Sequence, residues 1–299
     1  MDKNGFLIID KPTGVTSSSV VQQIKKLFRL GKVGHTGTLD PLATGLLVLC
    51  VGQATKFARY VIDEDKSYRV GIRLGVATDT FDAEGKVTFK GSTVNISEDA
   101  IESSLRRFRG KIKQVPPMYS AIKKNGVPLY KMARQGLQVE LDPREVMIHE
   151  NTLLNFDGEI LELYISCSKG TYIRTIAADL GDVLGCGAHV VSLRRLSVGP
   201  YVESDMLCLG ELEQAENKSR LSDYLLPISS PFEEWSELLL ETEEARLIKN
   251  GAKIKHTYTS VLGGVGLYEK YGSSEKRFIG VGEVSDGGVL SPKRLLHGV

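Results

Sequence analysis

The chain has 299 residues, of which 41% are hydrophobic and 25% charged, and its formal net charge is +1. This length suits one large domain joined to one small domain. No uninterrupted apolar run approaches the roughly 18 to 20 residues that cross a bilayer, and the first residues lack the layout of a secretory signal. We therefore expect a cytoplasmic protein that makes no membrane contact.

The cysteine spacing and the absence of several motifs argue against several kinds of site and several classes of enzyme. The four cysteines form no CxxC pair and no metal-ligand cluster with the five histidines. This pattern favours reduced thiols over disulfides or zinc. The chain also lacks a Walker A loop, an HExxH motif and a GxSxG motif, which argues against nucleotide hydrolases, zinc hydrolases and serine hydrolases.

The N-terminal region predicts a strand, a helix and a loop. FLIID is a short apolar run that predicts a strand. TSSSVVQQIKKLFRLG has one apolar face and predicts a helix that is capped by Ser or Thr and ends at Gly31. The loop GHTGTLDPLATG follows at residues 34–45.

Two strands are predicted after this loop. LLVLCVG has no polar alternation, so it predicts a strand that is covered on both faces. KSYRVGIRLG alternates with a period of two, which places Tyr68 on the core-facing side near a strand end. The hydroxyl of such a tyrosine can reach a cleft while its ring stays buried.

Asp40 lies in the loop, directly before the apolar strand. Taken alone, an Asp that precedes a Pro is most simply explained as a turn former. However, Gly34, Gly37 and Gly45 allow the backbone to approach a ligand closely. A carboxylate beside apolar surface also needs a partner, because an unpaired buried charge is costly. Arg174 is a candidate partner, although spacing alone does not establish the pair.

A one-sided basic segment follows the predicted helix SEDAIESSLRRFRG. Residues 106–134 contain nine Lys and Arg and no Asp or Glu, and they include Tyr119 and Tyr130. Several Pro and Gly interrupt the segment, so we expect much of it to be loop. A solvated surface is one explanation, but the interleaved charges and aromatic rings favour a nucleic-acid-binding surface.

The last third predicts more of the large domain and then a small one. EILELYISCSKG predicts a strand, TYIRTIAADLGDVLG predicts a helix that begins near Tyr172 and Arg174, and VSLRRLSVGPY predicts a strand that carries Leu193. From about Pro231 onward, a helix ending at Gly251 and short Gly-punctuated strands predict a β-rich domain.

Six collinear segments resemble the TruB-type tRNA pseudouridine synthases, in the order of that family. They are DKPTGVTS, GHTGTLDPLATGLL, KSYRV, QVPPMYSAIKKNGVPLYKMARQG, CSKGTYIRTIAADLG and LRRLSVG. The C-terminal stretches EEARLIKNGAKI and GVLSPKRLL resemble, more weakly, a PUA-type RNA-binding domain.

The resemblance implies an α/β (α+β) fold with a mixed, mainly antiparallel sheet flanked by helices. It implies a catalytic domain at 1–230 with an RNA-clamping insert at 106–150, and a PUA-like RNA-binding domain at 231–299. Because the basic insert is intact, the resemblance favours the stand-alone bacterial type, which acts without guide RNA. We also expect a monomer.

The resemblance makes Asp40 the catalytic residue and Arg174 its ion-pair partner, which would lower the pKa of Asp40. The reaction needs no cofactor and no metal. Asp40 can add to the base, attack C1′ or remove the 2′ proton of the ribose, and the sequence does not choose between these routes. All three routes need an ionised carboxylate.

The resemblance also implies a set of substrate-binding residues. One aromatic residue stacks on the target base, two residues pack around the uracil, one His occupies the place of the flipped nucleotide, and two Lys lie near the site. Tyr68 is the stacking aromatic residue, and Tyr172 and Leu193 pack around the uracil. His35 takes the place of the flipped nucleotide, and Lys11 and Lys56 lie near the site. For the two lysines, a position on the solvated surface stays open.

The implied function is conversion of the T-loop uridine at tRNA position 55 to pseudouridine. The expected partner is the T-stem-loop of tRNA, and no DNA partner is expected. The competing hypothesis is a tRNA-folding chaperone, in which the basic segment and the C-terminal domain bind RNA and catalysis is secondary.

Overall fold

The computed structural model describes residues 3–137, 139–214, 221–255, 261–272 and 275–298. The α-helices in these residues are α1 (Ser17–Leu27), α2 (Ala58–Ile62), α3 (Glu98–Leu105), α4 (Leu129–Arg134), α5 (Ile173–Leu184), α6 (Leu209–Gln214) and α7 (Thr242–Lys249). The strands, in chain order, are β1 (Gly5–Lys11), β2 (Val33–His35), β3 (Thr44–Val51), β4 (Lys66–Leu74), β5 (Val76–Thr78), β6 (Val87–Lys90), β7 (Gly110–Gln114), β8 (Lys123–Lys124), β9 (Val127–Pro128), β10 (Arg144–Phe156), β11 (Ile160–Cys167), β12 (Ala188–Val198), β13 (Leu207–Cys208), β14 (Ser236–Leu240), β15 (Ile254–Lys255), β16 (Gly263–Tyr271), β17 (Glu275–Val284) and β18 (Val289–Leu295).

The large domain is built on one mixed sheet. Among the described residues it has nine strands in the order β13-β1-β3-β12-β4-β11-β10-β7, with β2 paired to β3. The pairs β1–β13 and β3–β12 are parallel. The remaining pairs, such as β1–β3, β4–β12 and β4–β11, are antiparallel. The predicted mixed, mainly antiparallel sheet is therefore confirmed.

Strand β3 is buried on both faces, as its uninterrupted apolar sequence predicts. Leu47 and Leu49 pack in a cluster that includes Ile24 of α1 and Ile176 of α5. Residues on the other face of β3, such as Val48, pack in a second cluster. Helices α1 and α5 therefore cover one face of the sheet, and a separate layer that includes α2 covers the other.

Helix α1 ends earlier than its sequence predicts. Thr16 caps its N-terminus by accepting a hydrogen bond from Ser19 N at 3.1 Å. The last helical residue is Leu27, and the left-handed residue that follows is Arg29, with φ of 53°. The prediction of an end at Gly31 is wrong because Leu30 N already bonds back to Lys25 O at 2.9 Å and the Leu30 side chain is buried.

The basic segment contains more secondary structure than predicted. Strands β7 and β10 pair with each other at one edge of the main sheet. Between them lie the short β8–β9 hairpin and helix α4. The prediction of loop is wrong for α4, because Leu129 at its start is fully buried and fixes the first turn against the domain.

The C-terminal domain is a small β structure with one helix. Its strands follow the order β14-β16-β17-β18-β15, and α7 packs against them. Its core includes Leu240, Ile248 and Val265. This β-rich domain agrees with the expected PUA-like fold. Phe278 of β17 lies 6.0 Å from Phe57 of the large domain, centroid to centroid, so the two domains share an apolar contact.

The pairing of the cysteines and the length of the helices complete the description of the fold. All four cysteines are unpaired; three are buried and Cys208 is exposed. No helix in the described ranges is both long and apolar enough to cross a membrane.

Candidate active site

Asp40 lies in the loop between β2 and β3, and hydrogen bonds to α1 fix this loop. Leu39 N donates to Ser17 Oγ at 2.8 Å, and Ser17 Oγ donates to Leu39 O at 3.1 Å. Leu39 and Ala43 on either side of Asp40 are buried in the main core. The Asp40 side chain remains 34% exposed, so the carboxylate sits on apolar surface yet stays accessible.

Arg174 is the ion-pair partner of Asp40, although the two residues lie 134 positions apart. Its Nη2 donates to Asp40 Oδ1 at 3.2 Å, and its Nε lies 2.8 Å from Asp40 Oδ2. The guanidinium also donates to two backbone carbonyls, Thr80 O at 2.8 Å and Tyr119 O at 3.0 Å. Because Tyr119 belongs to the basic segment, that segment contacts the site directly.

Asp82 is a site residue that the sequence analysis did not identify. Its Oδ2 lies 3.3 Å from Arg174 Nη1, and both side chains are only 5% exposed. The turn between β5 and β6 carries Asp82 and is fixed to β12, because Ala83 N donates to Val190 O at 2.9 Å. No motif or spacing signalled this residue, since its role depends on a tertiary contact.

The pKa of Asp40 is raised above its ordinary value. Burial is the largest cause; the charge of Arg174 acts in the opposite direction, and the nearby charge of Asp82 raises the pKa further. The expected lowering by Arg174 is therefore present, but the net direction is opposite to the expectation. One guanidinium shared by two carboxylates does not compensate for the loss of water around Asp40.

Tyr68 and Leu193 lie on adjacent strands beside this loop. Leu193 of β12 pairs with Val70 of β4, and Tyr68 pairs with Arg195. Both Tyr68 and Leu193 are buried and belong to the same apolar cluster as Leu39. The period-two prediction for Tyr68 is confirmed, and burial raises the pKa of its hydroxyl.

Arg195 is a buried cation that links the sheet to the Asp40 loop. It is 2% exposed, its Nε donates to Leu46 O at 2.7 Å, and its Nη2 donates to Gly37 O at 3.2 Å. The sequence pattern predicted this strand but gave no role to Arg195. The contacts show that Arg195 holds the loop in place through backbone carbonyls.

His35 and Lys11 lie on two sides of the same loop. His35 is half-buried in β2, where its Nδ1 accepts from Gly37 N at 3.4 Å. Burial and the charge of Arg195 lower the pKa of His35, which favours the neutral ring.

Lys11 is fully buried at the end of β1, so it is not a solvated surface lysine. Its Nζ donates to Pro12 O and Val15 O at 2.8 Å and to Pro41 O at 3.3 Å. Burial lowers the pKa of Lys11 to about 8. Lys11 therefore holds the backbone next to Asp40.

Tyr172 is the residue that precedes the first turn of α5. Its backbone N donates to Gln114 Oε1 at 2.7 Å, and Gln114 Nε2 donates to Tyr172 O at 3.0 Å. The guanidinium carbon of Arg144 lies 4.6 Å from the centre of the Tyr172 ring, a cation–π contact. Tyr172 thus joins the start of the Arg174 helix to β7 and β10.

Lys56 is placed away from Asp40. Asp40 precedes β3 and Lys56 follows it, and this strand of eight residues spans about 26 Å at roughly 3.3 Å per residue. Lys56 Nζ donates to Gln53 Oε1 at 3.0 Å and to Leu295 O of the C-terminal domain at 3.4 Å. The structure therefore brings Lys56 to the domain junction.

No group of three or more His, Cys, Asp or Glu side chains in the described ranges is arranged to hold a metal ion. The chemistry available at the site is that of a partly buried carboxylate with a buried guanidinium, flanked by a tyrosine and a leucine.

Comparison with known proteins identifies the family. Residues 25–173 match the TruB family pseudouridylate synthase N-terminal domain, 174–233 match the tRNA pseudouridylate synthase B C-terminal domain, and 236–296 match the TruB C-terminal domain of pseudouridine synthase II. The tRNA pseudouridine synthase B of Coxiella burnetii (strain RSA 493 / Nine Mile phase I) is 44% identical over 98% of this chain and 95% of that protein. The chain belongs to the TruB family of pseudouridine synthases. The TruB family enzyme of Yersinia pestis (strain Pestoides F), also named tRNA pseudouridine synthase B, is 44% identical over 99% of this chain and 93% of its own length.

Solved structures show the same fold at lower identity. A Cbf5–Nop10–Gar1 complex aligns with a TM-score of 0.74 and 22% identity, covering 97% of this TruB family chain and 84% of the matched chain. An H/ACA RNP bound to a substrate RNA containing 2′-deoxyuridine aligns with a TM-score of 0.72 and 21% identity, with coverage of 97% and 84%. These alignments support the assigned fold.

Proposed function

We propose that this protein converts the T-loop uridine at position 55 of tRNA to pseudouridine, with Asp40 as the catalytic residue. The observation that carries the proposal is the Asp40–Arg174 pair. Its Asp lies in the loop that matches the family's Asp-containing motif, and the carboxylate stays 34% exposed on apolar surface. Relatives that are 44% identical over nearly the whole chain are named tRNA pseudouridine synthase B, which supports the same reaction here.

The reaction is an isomerisation that needs neither an oxidant nor a reductant. The bond between ribose C1′ and uracil N1 breaks, the uracil rotates, and C1′ joins C5. The proton on C5 leaves and N1 gains one, so the atoms balance. Asp40 acts as an ionised carboxylate, whether it adds to the base, attacks C1′ or removes the 2′ proton. Arg174 keeps that carboxylate oriented by contacts to both oxygens.

The neighbouring side chains suit a flipped base. A base inside a folded RNA loop must leave the stack before its glycosidic bond can react. In the proposal Tyr68 stacks on the uracil, and Leu193 and Tyr172 pack around it. The neutral ring of His35 fills the position in the RNA that the flipped uridine has left. Lys11 acts by holding the loop, and Lys56 contacts RNA away from the reacting base.

RNA binding is assigned to the basic segment and the C-terminal domain. Residues 106–134 contain nine Lys and Arg and no Asp or Glu. Recognition of RNA shape and single-stranded loop bases suits such a surface. We propose a monomer that acts on the T-stem-loop in the cytoplasm without guide RNA or DNA.

The experiment that tests the proposal maps pseudouridine in tRNA transcripts whose T-loop uridines are replaced by cytidine one at a time. We expect the wild-type protein to form pseudouridine in every transcript except the one changed at position 55. Product at another position would overturn the assigned site. Absence of product in the unmodified tRNA transcript would overturn the enzymatic function and favour a chaperone.

A further inference from the structure

A cationic groove lies at the end of β3 opposite to Asp40. Residues just before β1, the turn before β2, and the end of β3 with the segment after it form its walls, which surround about 500 Å³. Four cations line it, namely Lys3, Arg29, Lys32 and Lys56, and no acidic residue of the described ranges does. We call this feature the cationic groove.

Among the residues that the structure describes, the cations of the groove have no carboxylate to neutralise them. In the part of the chain that the structure describes, none of the four lies within ion-pair distance of an Asp or Glu. Lys3 Nζ donates to Phe28 O at 3.4 Å. Burial and, after it, the charge of Lys32 lower the pKa of Lys56. The groove therefore holds repelling positive charges that an anionic ligand would relieve.

Arg29, one of the groove cations, has an unusual backbone conformation. Arg29 is exposed and has φ of 53°, a conformation that glycine adopts more easily than arginine. The chain thus carries a long cationic side chain at a position where a glycine would be less strained.

The lining favours a phosphodiester backbone over a small nucleotide. Within the described ranges, the walls contain two apolar side chains, Leu30 and Val51, and no aromatic ring on which a base could stack. Several separated cations along an open groove match the spaced negative charges of an RNA strand. Contacts to phosphates are independent of sequence, so such a groove adds affinity and orientation rather than base recognition.

We propose that the cationic groove binds the phosphate backbone of the tRNA substrate outside its T-stem-loop. This inference rests on the proposed function. The groove lies about 26 Å from Asp40 along β3, at roughly 3.3 Å per residue, so it would engage a different part of the same RNA. Its rim is fixed to the C-terminal domain, because Gln53 Nε2 donates to His297 O and His297 N donates to Gln53 Oε1, both at 2.8 Å.

The test compares two substrates, a full-length tRNA transcript and the isolated T-stem-loop. The variant Lys3→Ala/Arg29→Asn/Lys32→Ala removes three charges, and Asn tolerates the left-handed backbone of Arg29. We expect kcat/KM for full-length tRNA to fall about tenfold or more, and kcat/KM for the stem-loop to stay within about twofold. The slope of log affinity for tRNA against log salt should flatten by about 0.9 per phosphate contact that is lost.

Two control variants accompany the test. Lys3→Arg/Lys32→Arg keeps the charges and should keep wild-type kcat/KM on both substrates. Lys86→Ala/Lys90→Ala removes two exposed lysines of the β5–β6 hairpin that do not line the groove, and should not separate the two substrates. Thermal melts check that each variant is folded.

Three outcomes overturn the inference. They are no loss on full-length tRNA, an equal loss on both substrates, and a loss that leaves the salt slope unchanged. If wild-type protein forms no pseudouridine in tRNA, the proposed function itself fails. In that case, direct binding of tRNA and the stem-loop to the same variants still decides whether the groove holds RNA.

Discussion

At the scale of single residues, one buried guanidinium serves two carboxylates. Arg174 Nε lies 2.8 Å from Asp40 Oδ2, and Arg174 Nη1 lies 3.3 Å from Asp82 Oδ2. Removing one partner of a buried ion pair leaves an uncompensated charge, which costs about 3 to 5 kcal/mol. Either carboxylate alone still leaves Arg174 a partner, so single variants of Asp40 or Asp82 should fold.

Asp82→Asn tests whether Asp82 positions Arg174. The amide carries no charge to hold the guanidinium, and small displacements at a reacting centre can cost about 10²-fold in rate. We expect the single-turnover rate of pseudouridine formation to fall by that order, while the affinity for tRNA changes little. Glu84→Gln, two residues away and exposed, is the control. An unchanged rate in Asp82→Asn would remove Asp82 from the mechanism.

The pH dependence of the rate follows from the raised pKa of Asp40. Because the ionised carboxylate is the active form, the rate should fall with decreasing pH, with a midpoint above the ordinary Asp value of 3.8. In Asp82→Asn the midpoint should move to lower pH, because the charge of Asp82 raises the pKa of Asp40. Single-turnover rates across pH measure both midpoints. A midpoint that stays fixed or moves upward in Asp82→Asn would contradict the assigned coupling.

At the scale of elements, the docking of α5 against β12 positions Arg174. Gly181 of α5 faces the start of β12, and a Cβ atom there would lie 2.2 Å from Ala188 N. Gly185 closes the helix in the left-handed conformation, with φ of 73°. The close approach of helix and strand therefore depends on a residue without a side chain.

Gly181→Ala should force α5 away from β12. Overpacking of this kind typically costs about 1 to 3 kcal/mol. We expect a lower midpoint of chemical denaturation and a slower reaction, because Arg174 moves with the helix. Gly31→Ala is the matched control, since a Cβ at Gly31 meets open space. Equal stability of the two variants would show that α5 can shift without cost.

Local patterns predicted some of these elements and missed others for identifiable reasons. The alternation around Tyr68 and the apolar run of β3 are local signals, and the structure agrees with both. Strand β10 was not predicted, because register shifts between Ile148 and Glu150 and between Leu153 and Asn155 break the period of two. The residue pattern offered Arg174 only as a candidate partner of Asp40, and family resemblance was needed to assign the pair. Asp82 was missed because its partner comes from a distant helix.

At the scale of the whole molecule, the two domains share apolar packing. Phe232 lies 5.9 Å from both Phe57 and Phe278, centroid to centroid, at the junction of the domains. This packing fixes the C-terminal domain relative to the catalytic sheet. The basic segment contacts Arg174 through Tyr119 O, so RNA bound there, as we propose, would lie close to Asp40.

The contribution of the basic segment to RNA binding is measured by salt dependence. Lys123, Lys131 and Arg134 are exposed, and the triple Ala variant removes three charges. If each contacts a phosphate, the slope of log affinity for the T-stem-loop against log salt should flatten by about 0.9 per contact. Lys86→Ala/Lys90→Ala should leave the slope unchanged. An unaltered slope in the triple variant would make the segment an ordinary solvated surface.

The most direct test of the account compares chemistry with binding in Asp40→Asn. The amide keeps the shape of the carboxylate but not its charge, so it cannot serve in any of the three routes. We predict no pseudouridine in tRNA under single-turnover conditions, with an affinity for tRNA within about twofold of wild type, because cationic contacts to phosphates, and not the Asp40 carboxylate, supply most of that affinity. Pseudouridine formed by Asp40→Asn at a rate near that of the wild type would contradict the central claim.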